Sequence, residues 1–346
     1  MIGMNLALRT YGRIKNRLLA KAVILMYHRV VELESDPWLL CVTPDHFAEH
    51  LEVMTRLGRP ASLNRLVEGL KTGHLPDRTI VVTFDDGYAD NLYFAKPALE
   101  RYDVPGTVFV VADAVGKESE FWWDELERLL LQPDRLPETL TLSLDGQPVE
   151  WQLGQASIYV EEDRREDRDR NPWEAPAGSR LAFFYSVWQQ LLPLAEVKRK
   201  NALDQIAAWS GTENLPRSSH RVMKSDEVVR LQQGGLVEVG AHTATHASLS
   251  SLSRAAQQEE IRQGKTLLED LLGSAVSSFA YPHGEYTPET VALVQEAGFQ
   301  SACTVVARSL HGGANPFLLP RFDVRDWDGD KFESRLSEWF RTGREI

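Results

Sequence analysis

The chain is poor in the features that would mark several protein classes. Two cysteines, Cys41 and Cys303, stand in 346 residues. They form neither a Cys-x-x-Cys metal or redox motif nor a disulfide framework, so they read as structural thiols in a reducing, cytoplasmic setting. No apolar run approaches the roughly 20 residues that span a bilayer. The formal charge of −12 withholds the basic face that phosphate contacts need, which excludes a dedicated nucleic-acid binder and favours uncharged substrates such as sugars. No internal repeat is visible. The first 21 residues carry Arg9, Arg13, Lys15, Arg17 and Lys21 and no acid, and these charges interrupt Ile2, Leu6, Ile14 and Leu18. The segment therefore lacks a signal-peptide core and reads as an amphipathic arm docked on the fold, with peripheral membrane contact as the alternative.

What is present is globular: 43% apolar and 25% charged residues in a chain long enough for one large α/β barrel or a smaller core with an insertion. Ala22–Tyr27 is a continuous apolar run of strand length, with His28 just beyond its end. Thr43-Pro44-Asp45 opens a helix with Thr43 as cap and Phe47, Leu51 and Met54 on one face. A second helix follows near 63–70. Ile80–Phe84 is a buried strand that stops at Asp85-Asp86-Gly87, a helix spans 90–102, and Gly106–Val111 is the next strand. This alternation predicts a parallel α/β sheet, whose functional residues gather at the carboxyl ends of its strands.

The rhythm breaks from about Asp113 to Val222 and resumes at Gly235. We read residues 22–113 and 223–346 as the barrel and 114–222 as an inserted helical and hairpin subdomain. The insertion holds a hairpin turning at Asp145-Gly146, a mixed-charge run at 161–170 that reads as a solvated face, and a helical stretch from Phe183 to Trp209. Trp122, Trp123, Trp173 and Trp188 suit a small core of its own; Trp122 and Trp123 are equally suited to stack on sugar rings. Strands are expected at 236–240, 277–281, 301–306 and 318–324, and helices at 255–272, 288–297 and 331–340.

An Asp-Asp-Gly sequence alone is most simply a turn, and a lone histidine is more often a hydrogen-bonded core or rim residue than a ligand. His242-Thr-Ala-Thr-His246 changes the weighting. On a strand the two rings would be about 13 Å apart, but on a helical turn the rise is only about 6 Å, so the pair suits a turn beyond a strand end. Two histidines and a carboxylate from another strand end make a metal site of catalytic type.

Together, Thr83-Phe84-Asp85-Asp86-Gly87 and His242-Thr-Ala-Thr-His246 resemble the motifs of the polysaccharide deacetylases, carbohydrate esterase family four, over residues 22–113 and from Val222 on. The resemblance implies a distorted (β/α) barrel and one divalent metal, zinc by default, held by Asp86, His242 and His246, with Asp85 as general base. Phe279–Gly284 resembles the third motif, which makes the backbone N–H of His283 an oxyanion donor. The arginine usual to that motif is missing. Arg321, Asp323 and Asp326, in a stretch like the fourth motif, are the candidates to tether the base. The general-acid histidine resembles the Tyr-His pair of a subgroup with permuted motif order, here Tyr27-His28, with His283 and His311 as rivals.

The implied activity is metal-dependent removal of N-acetyl groups from amino sugars of a glycan or glycan precursor. A small cyclic amide, ureide or formamide is the alternative substrate, and a non-catalytic sugar-binding protein is the alternative class. An amide leaving group requires protonation at nitrogen, which is why the reaction needs an imidazolium besides the base.

Overall fold

The computed structural model describes residues 21–144, 146–213 and 215–344. The arm read at residues 1–21 therefore lies outside the described residues except for Lys21, which opens the first strand, and so does Asp145 of the hairpin turn. The chain divides into two compact units. One comprises the described residues up to Glu32, Cys41–Lys117 and those from Val222 on; the other comprises Leu33–Leu40 and Glu118–Arg221.

Thirteen strands occur among the described residues: β1 (Lys21–Tyr27), β2 (Arg29–Val30), β3 (Cys41–Val42), β4 (Arg59–Pro60), β5 (Thr79–Phe84), β6 (Gly106–Val110), β7 (Thr139–Leu144), β8 (Gln147–Gln152), β9 (Val237–Ala241), β10 (Ser278–Ala280), β11 (Ser301–Cys303), β12 (Leu310–His311) and β13 (Phe322–Asp323). In the first unit the order is β11-β10-β9-β6-β5-β1-β12, with β13 also beside β1 and β4 beside β5. Every pairing in this sheet is parallel except that of β12 with β1. All six residues of β5 and all five of β6 are buried. Burial on both faces is why these strands read as unbroken β-branched runs rather than as alternating patterns.

The register aligns the carboxyl ends. Tyr27 pairs with Phe84, Phe84 with Val108, Val110 with Ala241 and Ala280 with Cys303. Residues just beyond these positions therefore emerge at one edge. The segment expected as a strand over 318–324 is instead mostly irregular, with only Phe322–Asp323 in β13. Leu319 bridges Cys303, and the Val324 N–H donates to Met26 O at 3.0 Å. This segment thus joins the two outer edges of the curled sheet and carries Arg321 into its interior, where the side chain is fully buried.

Amphipathic helices cover the sheet. Pro44–Leu57 starts where Thr43 accepts from the His46 N–H, and it buries Phe47, Leu51 and Met54. Arg254–Leu272 starts at the Ser253 cap and ends at Gly273. The helix expected over 90–102 begins with a wider π turn at Asn91–Ala95 before the α-helix Lys96–Tyr102.

The second unit has its own core, built from Leu126, Leu129, Leu140, Leu181, Phe184, Val187 and Leu203 among others, with Trp122 and Trp188 packed against it. Its hairpin pairs β7 with β8, Leu144 opposite Gln147. The long helical stretch is two helices, Arg180–Leu191 and Glu196–Ser210, and the charged run forms the short helix Glu161–Asp167. Trp123 is buried, whereas Trp173 is 55% exposed and is not part of the core.

Candidate active site

The site is assembled from turns that leave the aligned strand ends. β5 delivers Asp85 and Asp86, and the Asp85 N–H donates to Tyr27 O at 3.0 Å, which sets His28 level with the acidic pair. β9 delivers His242, whose N–H donates to Val110 O at 3.0 Å. Gly87 completes the acidic turn at φ 82°, and a Cβ there would meet Val110 at 3.1–3.3 Å. Of the seven described non-glycine residues at positive φ, four are Asp86 (74°), Thr243 (63°), His246 (61°) and His283 (57°). Such backbone is sparsely populated and persists only where surrounding structure holds it. Its concentration here marks the strand ends as shaped for more than turning the chain.

Asp86, His242 and His246 are buried together, with ligand atoms all within 4.8 Å of one another. His242 Nδ1 lies 2.8 Å from Ala280 O; a carbonyl only accepts, so this nitrogen carries the proton and the Nε2 lone pair is turned inward. His242 Nε2 is 3.6 Å and His246 Nε2 3.4 Å from Asp86 Oδ1. Two donors about 2.1 Å from one ion at a tetrahedral angle lie about 3.4 Å apart, so the trio fits a single divalent cation with two imidazoles and one carboxylate as ligands. Burial pushes the His242 imidazole down to about 4, which keeps it neutral as a ligand must be. Burial raises the Asp86 carboxyl, and the neighbouring Asp85 charge adds to that rise while nearby histidines oppose it.

Asp85 has a different environment. Burial alone would raise its carboxyl, but the Arg321 guanidinium overrides burial and holds it well below the ordinary carboxylate range. The contact is a two-pronged fork, Nη1 to Oδ1 at 2.6 Å and Nη2 to Oδ2 at 2.7 Å. Arg321 is itself oriented by Thr304 O and Thr83 Oγ1. Two adjacent carboxylates thus differ in kind, one clamped to a cation and the other facing imidazoles.

Of the three residues considered as tethers, Arg321 makes the contact. Asp323 stands 3.6 Å from Arg325 Nε, and its charge favours the Arg321 cation. Asp326 is engaged elsewhere: it accepts from the Thr43 N–H at 2.8 Å and lies 2.7 Å from His46 Nδ1, at the start of the helix Pro44–Leu57. Its carboxylate is a helix-end anchor, since the first-turn N–H groups of a helix need acceptors.

The three histidines considered for the acid are sorted by position. His28 is half-buried beyond β1, and its charge bears on both Asp85 and Asp86. His283 packs edge-on against His246 with ring centres 4.6 Å apart, and burial, followed by the neighbouring His246, pushes it down to about 3. The turn it occupies uses the N–H groups of Gly284 and Glu285, donated to Tyr281 O and Pro282 O, and not that of His283. His311 pairs with Lys21 at the opposite end of β1, roughly 23 Å along the strand from His28. That distance removes it from the site.

Two residues escaped the sequence reading. The Asn91 amide donates to His28 O at 2.9 Å. Asp90 accepts from the Val30 N–H at 3.0 Å and pairs with Arg29 through Nε at 3.0 Å and Nη2 at 2.9 Å. Both look in sequence like the polar start of a helix. The contacts join segments some sixty positions apart, and no local pattern announces them.

The curled parallel sheet thus carries an Asp-Asp pair and a His-x-x-x-His turn at its carboxyl edge, on a fold that matches the deacetylase-type (β/α) barrel. The polysaccharide deacetylase family model matches residues 72–135 and 198–302, just under half of the chain, and this match bears out the family resemblance of the motifs. His28 and Arg321 lie outside the matched segments. The putative polysaccharide deacetylase YxkH of Bacillus subtilis is 29% identical over 126 residues, which span 35% of this chain and 42% of that protein. Among solved structures, IcaB from Ammonifex degensii superposes with a TM-score of 0.57 at 18% identity, over 93% of this chain and 98% of that one. The deacetylase PplD of Streptococcus pyogenes, in complex with acetate, gives 0.56 at 16% identity, over 95% of this chain and all of that one. At such identities the structural likeness is one of fold.

Proposed function

We propose that this protein is a metal-dependent N-deacetylase that releases acetate from N-acetylated amino sugars of a glycan or glycan precursor. The observation that carries the reading is the convergence, at one sheet edge, of a guanidinium-clamped Asp85 with the trio Asp86, His242 and His246. A divalent cation in the trio, zinc by its mixed N and O donors, would supply Lewis acidity toward water and the amide carbonyl, which a base as weak as Asp85 requires.

The chain's own groups divide the remaining work. Asp85 stays ionised at working pH and takes the water proton, with Arg321 fixing both of its oxygens. The His283 N–H, turned by the positive φ of that residue, is the oxyanion donor. His28 gives the proton to the departing nitrogen, since an amine leaves poorly as an anion. Asn91 holds the His28 carbonyl and so limits where its ring can swing.

The test is acetate release from a panel of N-acetylated oligosaccharides, measured before and after chelation and after zinc is restored. Release that stops on chelation and returns with zinc is expected. Full release in chelator would sink the metal-dependent reading; no release from any acetylated sugar, with hydrolysis of a cyclic amide, ureide or formamide, would move the substrate to that class.

A further inference from the structure

The turn that carries His242 and His246 has no regular structure of its own, and two of its residues sit at positive φ. One bond inside it is visible: the Thr243 hydroxyl accepts from the His246 N–H at 2.9 Å. On one flank its support comes from the helix Arg254–Leu272. The Glu260 carboxylate accepts from the Thr245 N–H at 2.9 Å, the Ala244 N–H at 3.2 Å and the Thr245 hydroxyl at 2.8 Å. Its main-chain oxygen shares the Ala244 N–H at 3.1 Å.

One helical turn on, Gly264 lets the helix backbone approach closely. A Cβ at that position would come within 2.6 Å of the Thr243 carbonyl carbon and 2.8 Å of its oxygen. On the other side, the Ala112 and Asp113 N–H groups donate to Thr243 O and Ala244 O at 3.2 and 2.9 Å. The turn is therefore held from both flanks, and the helix flank is a charged acceptor aimed at two successive peptide N–H groups. Without it, those dipoles and the unfavourable φ values would relax the turn, and the two Nε2 atoms would lose their common focus.

We infer that Glu260 is a positioning residue for the metal ligands: it holds the His242–His246 turn in its strained form so that both imidazoles face Asp86 before any ion arrives. The inference rests on the reading of Asp86, His242 and His246 as a metal site. Groups outside the ligand set that fix ligand orientation typically contribute 10- to 100-fold in metal affinity. Glu260 reaches the ligands through the backbone, not through their rings.

The experiment is zinc titration of the apo protein against a competing chelator, with apo-form melting recorded alongside. Glu260→Ala should weaken zinc binding about 10- to 100-fold while the protein stays folded. Glu260→Gln should bind close to wild type, because an amide oxygen still accepts from both N–H groups and the Thr245 hydroxyl can reverse its bond. If Glu260→Ala does not fold, Thr245→Val keeps the question open to test by removing only the hydroxyl contact, and a weakening of a few fold, about 1 kcal/mol or less, is expected. Wild-type zinc affinity in Glu260→Ala, or in Thr245→Val where that variant must stand in, would overturn the inference and leave the site reading intact. Equal weakening in the Gln variant would assign the effect to negative charge and overturn the positioning role. A wild-type protein that binds no zinc would sink the site reading and this inference with it.

Discussion

In the inserted unit, Glu120, Glu127 and Arg128 are buried and Arg217 half-buried, and each carboxylate meets a guanidinium. Arg128 Nε is 2.8 Å from Glu120, and Arg217 pairs with both Glu120 and Glu127. The spare donors of the two arginines go to Glu213 O and Asp124 O. At the strand ends of the other unit, Asp85 is neutralised in the same way by Arg321, but the ion-pair partners of Asp86 among the described residues are the two imidazoles. Both regions bury acids, and only the second buries an acid whose compensation is left to weak bases with lone pairs turned inward. A matched buried network is structure; a buried acceptor-rich trio fits an incoming cation.

The same contrast separates two histidines. His50 and His242 are both buried and both pushed down to about 4, in each case chiefly by burial. His50 spends both nitrogens on structure: Nε2 donates to Trp327 O at 2.6 Å and Nδ1 accepts from the Tyr27 hydroxyl at 3.2 Å. His242 spends one and keeps the other facing carboxylates. The titration shift alone does not tell ligand from core; the second nitrogen does.

The largest expected effect tests the trio. His242→Ala should abolish metal loading and acetate release, with apo-form melting changed little because the ligands sit at strand ends rather than in the core. Unfolding of this variant would break the distinction between the two regions by making the trio structural. Next, Asp85→Asn should load metal normally yet lose about 10²- to 10⁴-fold in turnover, since an amide cannot accept the water proton. Near-normal acetate release by the metal-loaded variant would remove Asp85 as the base.

A smaller and more selective effect is expected of His28→Ala. Amide turnover should drop about 10²-fold, the bell-shaped pH profile should lose the limb that reports protonated imidazole, and esters with good leaving groups should suffer far less. Equal loss on both substrates would transfer the role to His283. In the inserted unit, Arg217→Met should cost about 3 kcal/mol of stability by removing the guanidinium that pairs with buried Glu127, while Glu120 keeps Arg128, as read by denaturant unfolding. Its zinc affinity should remain that of wild type; a matched change in metal binding would erase the contrast between the two networks.

The last effect, confined to acid pH, concerns His50. Its folded value, about 4, lies below the ordinary 6.5, so the unfolded chain takes up the proton first as pH falls. Stability should be fully present above about pH 6.5 and decline toward pH 4, by up to roughly 3 kcal/mol. His50→Phe should flatten that window in urea titrations across pH, and an unchanged slope would show that His50 is not the group responsible.

Several things were legible in the chain alone, each because the cause is local. Buried parallel strands must be apolar throughout, so Ala22–Tyr27 and Ile80–Phe84 announced themselves, and Thr43-Pro44 marked a helix start because a cap and a preset φ act within one turn. Asp85-Asp86-Gly87 and His242-x-x-x-His246 stood out as a motif pair, with a spacing that no strand can focus on one ion. The tertiary structure decided what depends on register and closure. It singled out Arg321 among three candidates because the irregular segment between Cys303 and Met26 carries that side chain inward. It sent His311 to the far end of β1, since antiparallel pairing with Lys21 reverses the direction in which the chain approaches. It gave Asn91 and Glu260 their partners across 63 and 15 residues, separations over which side-chain chemistry carries no signal until the sheet has fixed where each strand ends.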